Sequence, residues 1–288
     1  MARRRGPSVR KRRLGLELRG LRDAAGMNLD EAAQLYGCSR ATMARIESAD
    51  SSVSSDEVAT LLDIYRVGED DPKRQTLLIM ARQARKRGWW RTYGDAVSDP
   101  YADYISLEND ATAIRVWESQ LVPGLFQTEE YTREVITAVR PMDSREDIDG
   151  YVAVKAARQK FVAQQPRQPR ICAVVWEPVL RQHVGTPKLM AAQCQRLLEE
   201  GERPNVEIQV LPLAAGAHAA MESTFTILAY DGPNLDVVCI DNATSSLYLE
   251  EDREVEHYGV LWERLLTAAL DTRSSARLIR QIAKEWST

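Results

Sequence analysis

The sequence predicts two domains of different fold class, an all-α domain of five short helices and then an α+β domain with a small mixed sheet. Up to about residue 87, apolar side chains recur at helical spacing between capping residues, whereas short β-branched runs alternate with helical segments beyond it. The charge also changes: residues 1–90 carry 18 Lys and Arg against 12 Asp and Glu, and residues 91–288 carry 20 against 30. We therefore assign residues 1–87 to the first domain and residues 88–288 to the second.

Four of the five predicted helices in the first domain, all but the first, begin at a residue suited to a helix N-terminus. The first helix ends at Gly26, which can adopt the left-handed conformation that follows many helices. The second helix has Glu31 three residues after its cap, in the position of a capping box. The starting residues are, in chain order, Val9, Asn28, Ser39, Ser54 or Ser55, and Pro72.

The second domain combines five short strands with five longer helices. The predicted strands are 171–176, 206–211, 225–230, 235–240 and 246–250, and residues 231–234 form a turn between the third and the fourth. The predicted helices are 128–139, with Thr128 as its cap, and 147–164, 187–200, 253–270 and 274–286.

Residues 27–47 meet the steric demands of a helix-turn-helix. Ala33 is small enough for the point where the two helices cross, and Gly37 can take the positive φ of the turn. Cys38 fills the turn, while Met43 and Ile46 lie three residues apart and face the core. The segment therefore predicts a DNA-binding motif.

The third helix then presents a polar face suited to the major groove of duplex DNA. Arg40 and Arg45 can offer paired donors to guanine, and Ala41 and Ala44 permit close approach to bases. Ser39 and Thr42 suit phosphate oxygens. A helical hairpin without a role in DNA binding is the alternative interpretation of this segment.

A basic arm precedes the motif. Nine of the first 22 residues are Arg or Lys, against Glu17 alone. Such an arm is expected to contact phosphates rather than to read sequence. Arg10, Arg12 and Arg13, the arm residues close to the motif in sequence, are predicted to bind DNA in this way. A solvated tail is the alternative.

At these residues the chain resembles the lambda-repressor-like regulators of the xenobiotic-response-element type, over about residues 10–66. The resemblance rests on Ala33, Gly37, Ile46 and Glu47, and it implies a five-helix lambda-repressor-like domain that binds an operator as a homodimer. Relatives often carry a phosphate-binding Gln where this chain has Leu29, so we assign Leu29 no DNA contact.

A longer series of motifs resembles the WhiJ-type, antitoxin-like regulators of streptomycetes. It comprises Trp89-Trp90, residues 104–108, residues 122–128 with Tyr131, and residues 206–216. This resemblance implies a second domain without established chemistry, and a small acidic protein as the partner. The tryptophan pair either packs the two domains together or stacks on nucleic acid.

The sequence lacks the patterns of an enzyme, a metal site or a membrane protein. The histidines (His183, His218, His257) and the cysteines (Cys38, Cys172, Cys194, Cys239) are scattered, and neither a phosphate-binding glycine loop nor a nucleophile elbow is present. We therefore expect no catalytic residues, no cofactor and no metal, and free, mostly buried thiols. Without a secretory signal or a long apolar run, we expect a cytoplasmic, nucleoid-associated protein and no contact with membrane.

Two functions follow for a DNA-binding transcriptional regulator of this organisation. In the first, the second domain dimerises and binds a protein partner. In the alternative, it encloses a small effector around Trp117, Trp176 and Tyr131. A closed apolar pocket would favour the effector, and an exposed apolar patch would favour the partner.

Overall fold

The N-terminal part of the chain forms five α-helices, as the sequence predicts. The computed structural model describes residues 8–84, 88–232, 235–242 and 245–287. The chain folds as two units, the first comprising Met1–Trp89 with Asp231–Leu235 and the second comprising Trp90–Tyr230 with Asp236–Thr288. The helices of the first unit are α1 (Val9–Ala24), α2 (Leu29–Tyr36), α3 (Arg40–Glu47), α4 (Ser55–Ile64) and α5 (Pro72–Ala84).

The predicted caps of α2 and α4 explain where these two helices begin. The Asn28 side chain accepts hydrogen bonds from the amides of Asp30 and Glu31, and the Glu31 carboxylate accepts one from the Asn28 amide. Ser54 forms the same reciprocal box with Glu57, so Ser54 rather than Ser55 is the cap of α4. These contacts satisfy amides that the first helical turn leaves without backbone partners.

The second unit mixes seven α-helices with six strands within the described residues. Two 3₁₀ segments also occur, Trp89–Ala96 where the chain passes from the first unit to the second, and Leu213–Ala215 within the second. The elements are α6 (Asp99–Glu108), β1 (Ala113–Glu118), α7 (Glu129–Val139), α8 (Arg145–Ala163), β2 (Arg170–Trp176), α9 (Glu177–Arg181), α10 (Pro187–Glu200), β3 (Val206–Leu211), β4 (Phe225–Ala229), β5 (Val237–Asp241), β6 (Ser246–Leu249), α11 (Asp252–Ala268) and α12 (Thr272–Glu285).

The six strands form one mixed sheet in the order β3-β2-β1-β4-β5-β6. Strands β1, β2 and β3 are parallel, whereas β4, β5 and β6 continue from β1 as an antiparallel meander. Strand β1, which was not predicted from the sequence, is a central strand; the helices α6 and α9 were not predicted either. The small mixed sheet is therefore confirmed, with one strand more than predicted.

One face of the sheet packs under α11 in an apolar core. Trp117 from β1 and Val238 from β5 belong to this core, with Trp262 and Leu265 from α11. The indole nitrogen of Trp117 donates to the carbonyl oxygen of Ala220 at 3.0 Å, so its polar atom is satisfied although the ring is buried. Because strand side chains alternate, the residues next to these in sequence face the opposite side of the sheet.

Candidate nucleic-acid interface

The α2–α3 pair has the geometry that the helix-turn-helix pattern predicts. Ala33 is buried, and Gly37 ends α2 with φ of 80°, in the left-handed region. Met43 and Ile46 are buried on the inner side of α3. The buried residues of α2 and α3 therefore fix which side of α3 faces solvent.

The N-terminus of α3 is capped by its own side chains. Ser39 Oγ accepts a hydrogen bond from the Thr42 amide at 3.1 Å and lies 3.0 Å from Thr42 Oγ1. Ser39 therefore holds the first turn in place, and the Thr42 hydroxyl is directed toward that turn.

The residues predicted to contact DNA on α3 form one accessible surface. Arg40, Ala41 and Arg45 are exposed together with Ser39, whereas Thr42 and Ala44 are half-buried. Arg40 Nη1 lies 3.5 Å from Asp30 Oδ2 in an exposed ion pair, and Arg45 Nη2 lies 3.5 Å from Thr42 Oγ1. Neither contact buries a guanidinium, so both arginines keep donors toward solvent.

The basic residues before the motif differ in accessibility. Residues 1–7, which include Arg3, Arg4 and Arg5 of the predicted arm, lie outside the described residues. Arg10, Arg12 and Arg13 lie in the first two turns of α1. Arg12 is exposed and Arg13 is half-buried, but Arg10 is only 6% exposed. Burial makes Arg10 poorly suited to the phosphate contact predicted for it.

A buried ion pair that sequence reasoning missed holds the end of α3. Arg22 of α1 donates to both carboxylate oxygens of Glu47, from Nε at 2.6 Å and from Nη2 at 2.9 Å. Hydrogen bonding to Glu47 raises the pKa of Arg22 above its ordinary value. Glu47 belongs to the sequence frame noted above, but its partner lies 25 residues earlier and no local pattern indicates it.

The same two helices approach closely at Gly15. A Cβ atom added to Gly15 of α1 would lie 2.4 Å from the carbonyl oxygen of Glu47. Only glycine permits this approach, because the obstacle is backbone rather than a flexible side chain. Gly15 and Arg22 together determine how α3 sits against α1.

The aromatic residues proposed for an effector pocket are largely core residues. Trp117 and Tyr131 are 1% and 0% exposed, and Trp176 is half-buried. The Tyr131 hydroxyl accepts a hydrogen bond from the Val122 amide at 3.3 Å. These contacts assign Trp117 and Tyr131 to packing and do not outline a pocket.

The segment between β1 and α7 is held by side-chain amides. Gln193 donates to the carbonyl oxygen of Phe126 and accepts from the amide of Thr128. Gln159 donates to the carbonyl oxygens of Gly124 and Gln127 at 2.8 and 2.9 Å. The motif at residues 122–128 therefore has a structural role within the second unit.

The histidines and cysteines do not converge on a site within the described residues. Each histidine packs edge-on against a different aromatic ring, as His183 does against Trp286. All four cysteines are free, and Cys194 and Cys239 are buried. In this part of the chain, no cluster of three or more His, Cys, Asp or Glu could hold a metal ion, and no helix is long and apolar enough to cross a membrane.

Two family models match separate parts of the chain. Residues 13–75 match a family model described as a helix-turn-helix domain. Residues 101–281 match a family model described as a domain of unknown function, DUF5753. No curated protein and no solved structure matches the chain. The helix-turn-helix match indicates DNA binding and a regulator rather than an enzyme.

Proposed function

The chain belongs to the DUF5753 family and carries a helix-turn-helix domain ahead of the family's domain, and on this basis we propose that it is a sequence-specific transcriptional regulator. The observation that carries the proposal is the surface of α3, where Arg40 and Arg45 stand exposed on a helix whose opposite side is buried. A helix of this kind fits the major groove of B-DNA.

The proposed base contacts follow from the chemistry of the exposed face. Arg40 and Arg45 donate to O6 and N7 of guanine, the pairing that a forked guanidinium makes best. Ala41 and Ala44 allow the helix to lie close to the base edges and contact thymine methyl groups. The exposed Arg40–Asp30 pair opens at little cost, since such pairs contribute at most about 1 kcal/mol.

The proposed phosphate contacts flank this face. Ser39, Thr42 and the positive end of α3 lie where a phosphate group approaches the groove. Arg12, which is exposed, and Arg13 extend the basic surface along α1, and Arg10 is left out because it is buried. These contacts supply affinity without reading sequence.

We further propose that the protein binds DNA as a homodimer, because one small module reads few base pairs and two coupled modules add their binding free energies. The second unit is proposed to carry the dimer contact and to bind the small acidic partner that the antitoxin-like resemblance implies. That unit is itself acidic, so its contact with an acidic partner must be apolar rather than ionic. The exposed side chains of Val139 and Met142, which are 67% and 93% exposed, are candidates for such a contact.

Selection of bound sequences from a random duplex library with the full-length protein tests the proposal. We expect enrichment of a palindrome whose half-sites lie about 34 Å apart, and a dimer by light scattering. Folded, soluble protein that enriches no motif would contradict sequence-specific binding. A single non-repeated motif bound by a monomer would contradict the dimer alone.

A further inference from the structure

Two acidic side chains share one row of the sheet in the second unit. Trp117 of β1 pairs with Phe225, and Cys239 of β5 pairs with Thr226, so Glu118 and Asp241 follow at the same edge. Trp117 and Val238 belong to the core under α11. Strand alternation therefore places both Glu118 and Asp241 on the face opposite that core, two strands apart.

Helix α8 brings two cations to the same place. Lys155 and Arg158 lie three residues apart, and Lys155 interacts electrostatically with both Glu118 and Asp241. Arg158 is already committed, because it donates to both carboxylate oxygens of Glu108 at 2.6 Å and to the Tyr104 hydroxyl at 3.4 Å.

Lys155 and Glu118, in contrast, have no direct partner within the part of the chain that the structure describes. Both are half-buried, and neither makes a hydrogen bond or an ion pair there. Burial raises the pKa of Glu118 to about 7 and lowers that of Lys155 to about 8. Burial thus disfavours the charged form of each group, and a ligand that pairs with either charge would favour that form again.

A buried hydroxyl is coupled electrostatically to Asp241 and Arg158 of this cluster. Tyr101 of α6 has its hydroxyl oxygen buried without a hydrogen bond of normal geometry to any described residue. The Arg158 guanidinium is close enough to act on it as a weak hydrogen-bond donor as well as electrostatically, and Glu108 and Asp241 act on it electrostatically. A hydroxyl without a well-formed acceptor among half-buried charges is free to donate a hydrogen bond to a bound ligand.

The position of the cluster in the sheet agrees with this interpretation. Glu118 ends β1, the strand at which parallel pairing with β2 changes to antiparallel pairing with β4. The chain leaves β1 at the carboxyl edge shared with β2 and β3. In open α/β sheets, ligands bind at the carboxyl ends of strands where the order changes direction.

We propose that Glu118, Asp241, Lys155 and Tyr101 bind a small amino acid-like zwitterion in the second unit. Its anionic group pairs with the Lys155 ammonium and accepts a hydrogen bond from the Tyr101 hydroxyl. Its ammonium group donates to the carboxylates of Glu118 and Asp241. The proposal does not depend on DNA binding, since every group lies in the second unit.

Thermal unfolding of the full-length protein tests it, with each proteinogenic amino acid, β-alanine and γ-aminobutyrate added singly at about 10 mM. We expect at least one compound to raise the midpoint by about 2 °C or more, and calorimetry to give its dissociation constant. Lys155→Met and Glu118→Gln should each weaken that constant at least tenfold, by about 1.4 kcal/mol.

Matched substitutions at exposed positions serve as controls. Lys160→Met on α8 and Glu263→Gln on α11 change the same charges away from the cluster and should leave the constant unchanged. The proposal is overturned if no compound shifts the midpoint, or if the two cluster variants bind like the controls. Equal affinity for propionate or for propylamine would overturn the zwitterionic class.

Discussion

Arg22 and Glu47 form a buried ion pair with two hydrogen bonds, and it joins α1 to the last residue of α3. Both side chains are about 5% exposed. Arg22 also donates to the carbonyl oxygen of Met27 at 2.8 Å, at the start of the helix-turn-helix. The pair therefore fixes the orientation of α3, and with it the direction of the arginines proposed to contact bases.

Removing one partner of this pair should destabilise the protein strongly. Glu47→Ala leaves the Arg22 guanidinium buried without its counter-ion, and we expect a loss of about 3–5 kcal/mol in the free energy of unfolding. Urea denaturation followed by circular dichroism measures it. Glu17→Ala breaks the more exposed Lys73–Glu17 contact and should cost at most about 1 kcal/mol. Equal losses in the two variants would show that burial of the Arg22 pair is unimportant.

Gly15→Ala should also destabilise the first unit. Its Cβ would meet the Glu47 carbonyl oxygen at 2.4 Å, so α1 and α3 must separate, at a cost of about 1–3 kcal/mol. Gly20→Ala on the same helix has no atom within 4 Å and should stabilise it by about 0.5–1 kcal/mol. Thermal unfolding measures both changes in stability, which should have opposite signs. Stabilisation by both substitutions would contradict the close approach.

Asp30→Asn should tighten binding to duplex DNA. Asp30 pairs with Arg40 in the unbound protein and adds a negative charge beside a surface proposed to approach phosphates. We expect a gain of about threefold to fivefold in affinity, corresponding to less than about 1 kcal/mol. Fluorescence anisotropy with a selected duplex measures it, and weaker binding would indicate that Asp30 itself accepts a hydrogen bond from DNA.

Glu118→Gln should stabilise the protein at high pH but not at low pH. Burial, reinforced by Asp241, raises the pKa of Glu118 from 4.5 to about 7. The folded state thus holds a proton that the unfolded state loses, and wild-type stability falls as pH rises between these values. We expect a gain of roughly 2 kcal/mol near pH 8 and none below about pH 4, allowing for partial exposure.

The pH series of Glu118→Gln is measured by urea denaturation alongside Glu263→Gln, whose carboxylate is exposed on α11. The control should follow the wild type at every pH. A stability difference for Glu118→Gln that does not vary with pH would show that the substitution changes packing and not ionisation.

The local features of the first unit could be predicted because each depends on neighbouring residues. The box between Asn28 and Glu31 and the positive φ of Gly37 follow from three- or four-residue patterns. The Arg22–Glu47 pair and the approach at Gly15 could not be predicted, because they depend on the tertiary placement of α1 against α3. Burial of Arg10 likewise depends on packing that its basic neighbours do not indicate.

In the second unit, the strands that are bounded by turn residues could be predicted from the sequence, but the central strand β1 could not. Strand β1 contains Arg115 and ends in Glu118, and no Gly or Pro flanks it closely. Its alternating Ile114 and Val116 are a weak signal in so short a run. The cluster at Glu118 could not be predicted for a different reason: its members come from α6, β1, α8 and β5 and meet only in the tertiary structure.

Measured affinity for the selected palindrome tests the central claim, that α3 reads base edges, most directly. Arg40→Ala and Arg45→Ala are compared with Arg82→Ala, an exposed arginine on α5, which packs against α1 and α4. Each α3 variant should lose about 1–3 kcal/mol of binding free energy and tolerate substitution at one base position per half-site. The Arg82 variant should keep the full base preference. If both α3 variants bind the palindrome and discriminate against its substituted forms as the wild type does, α3 is not the recognition helix.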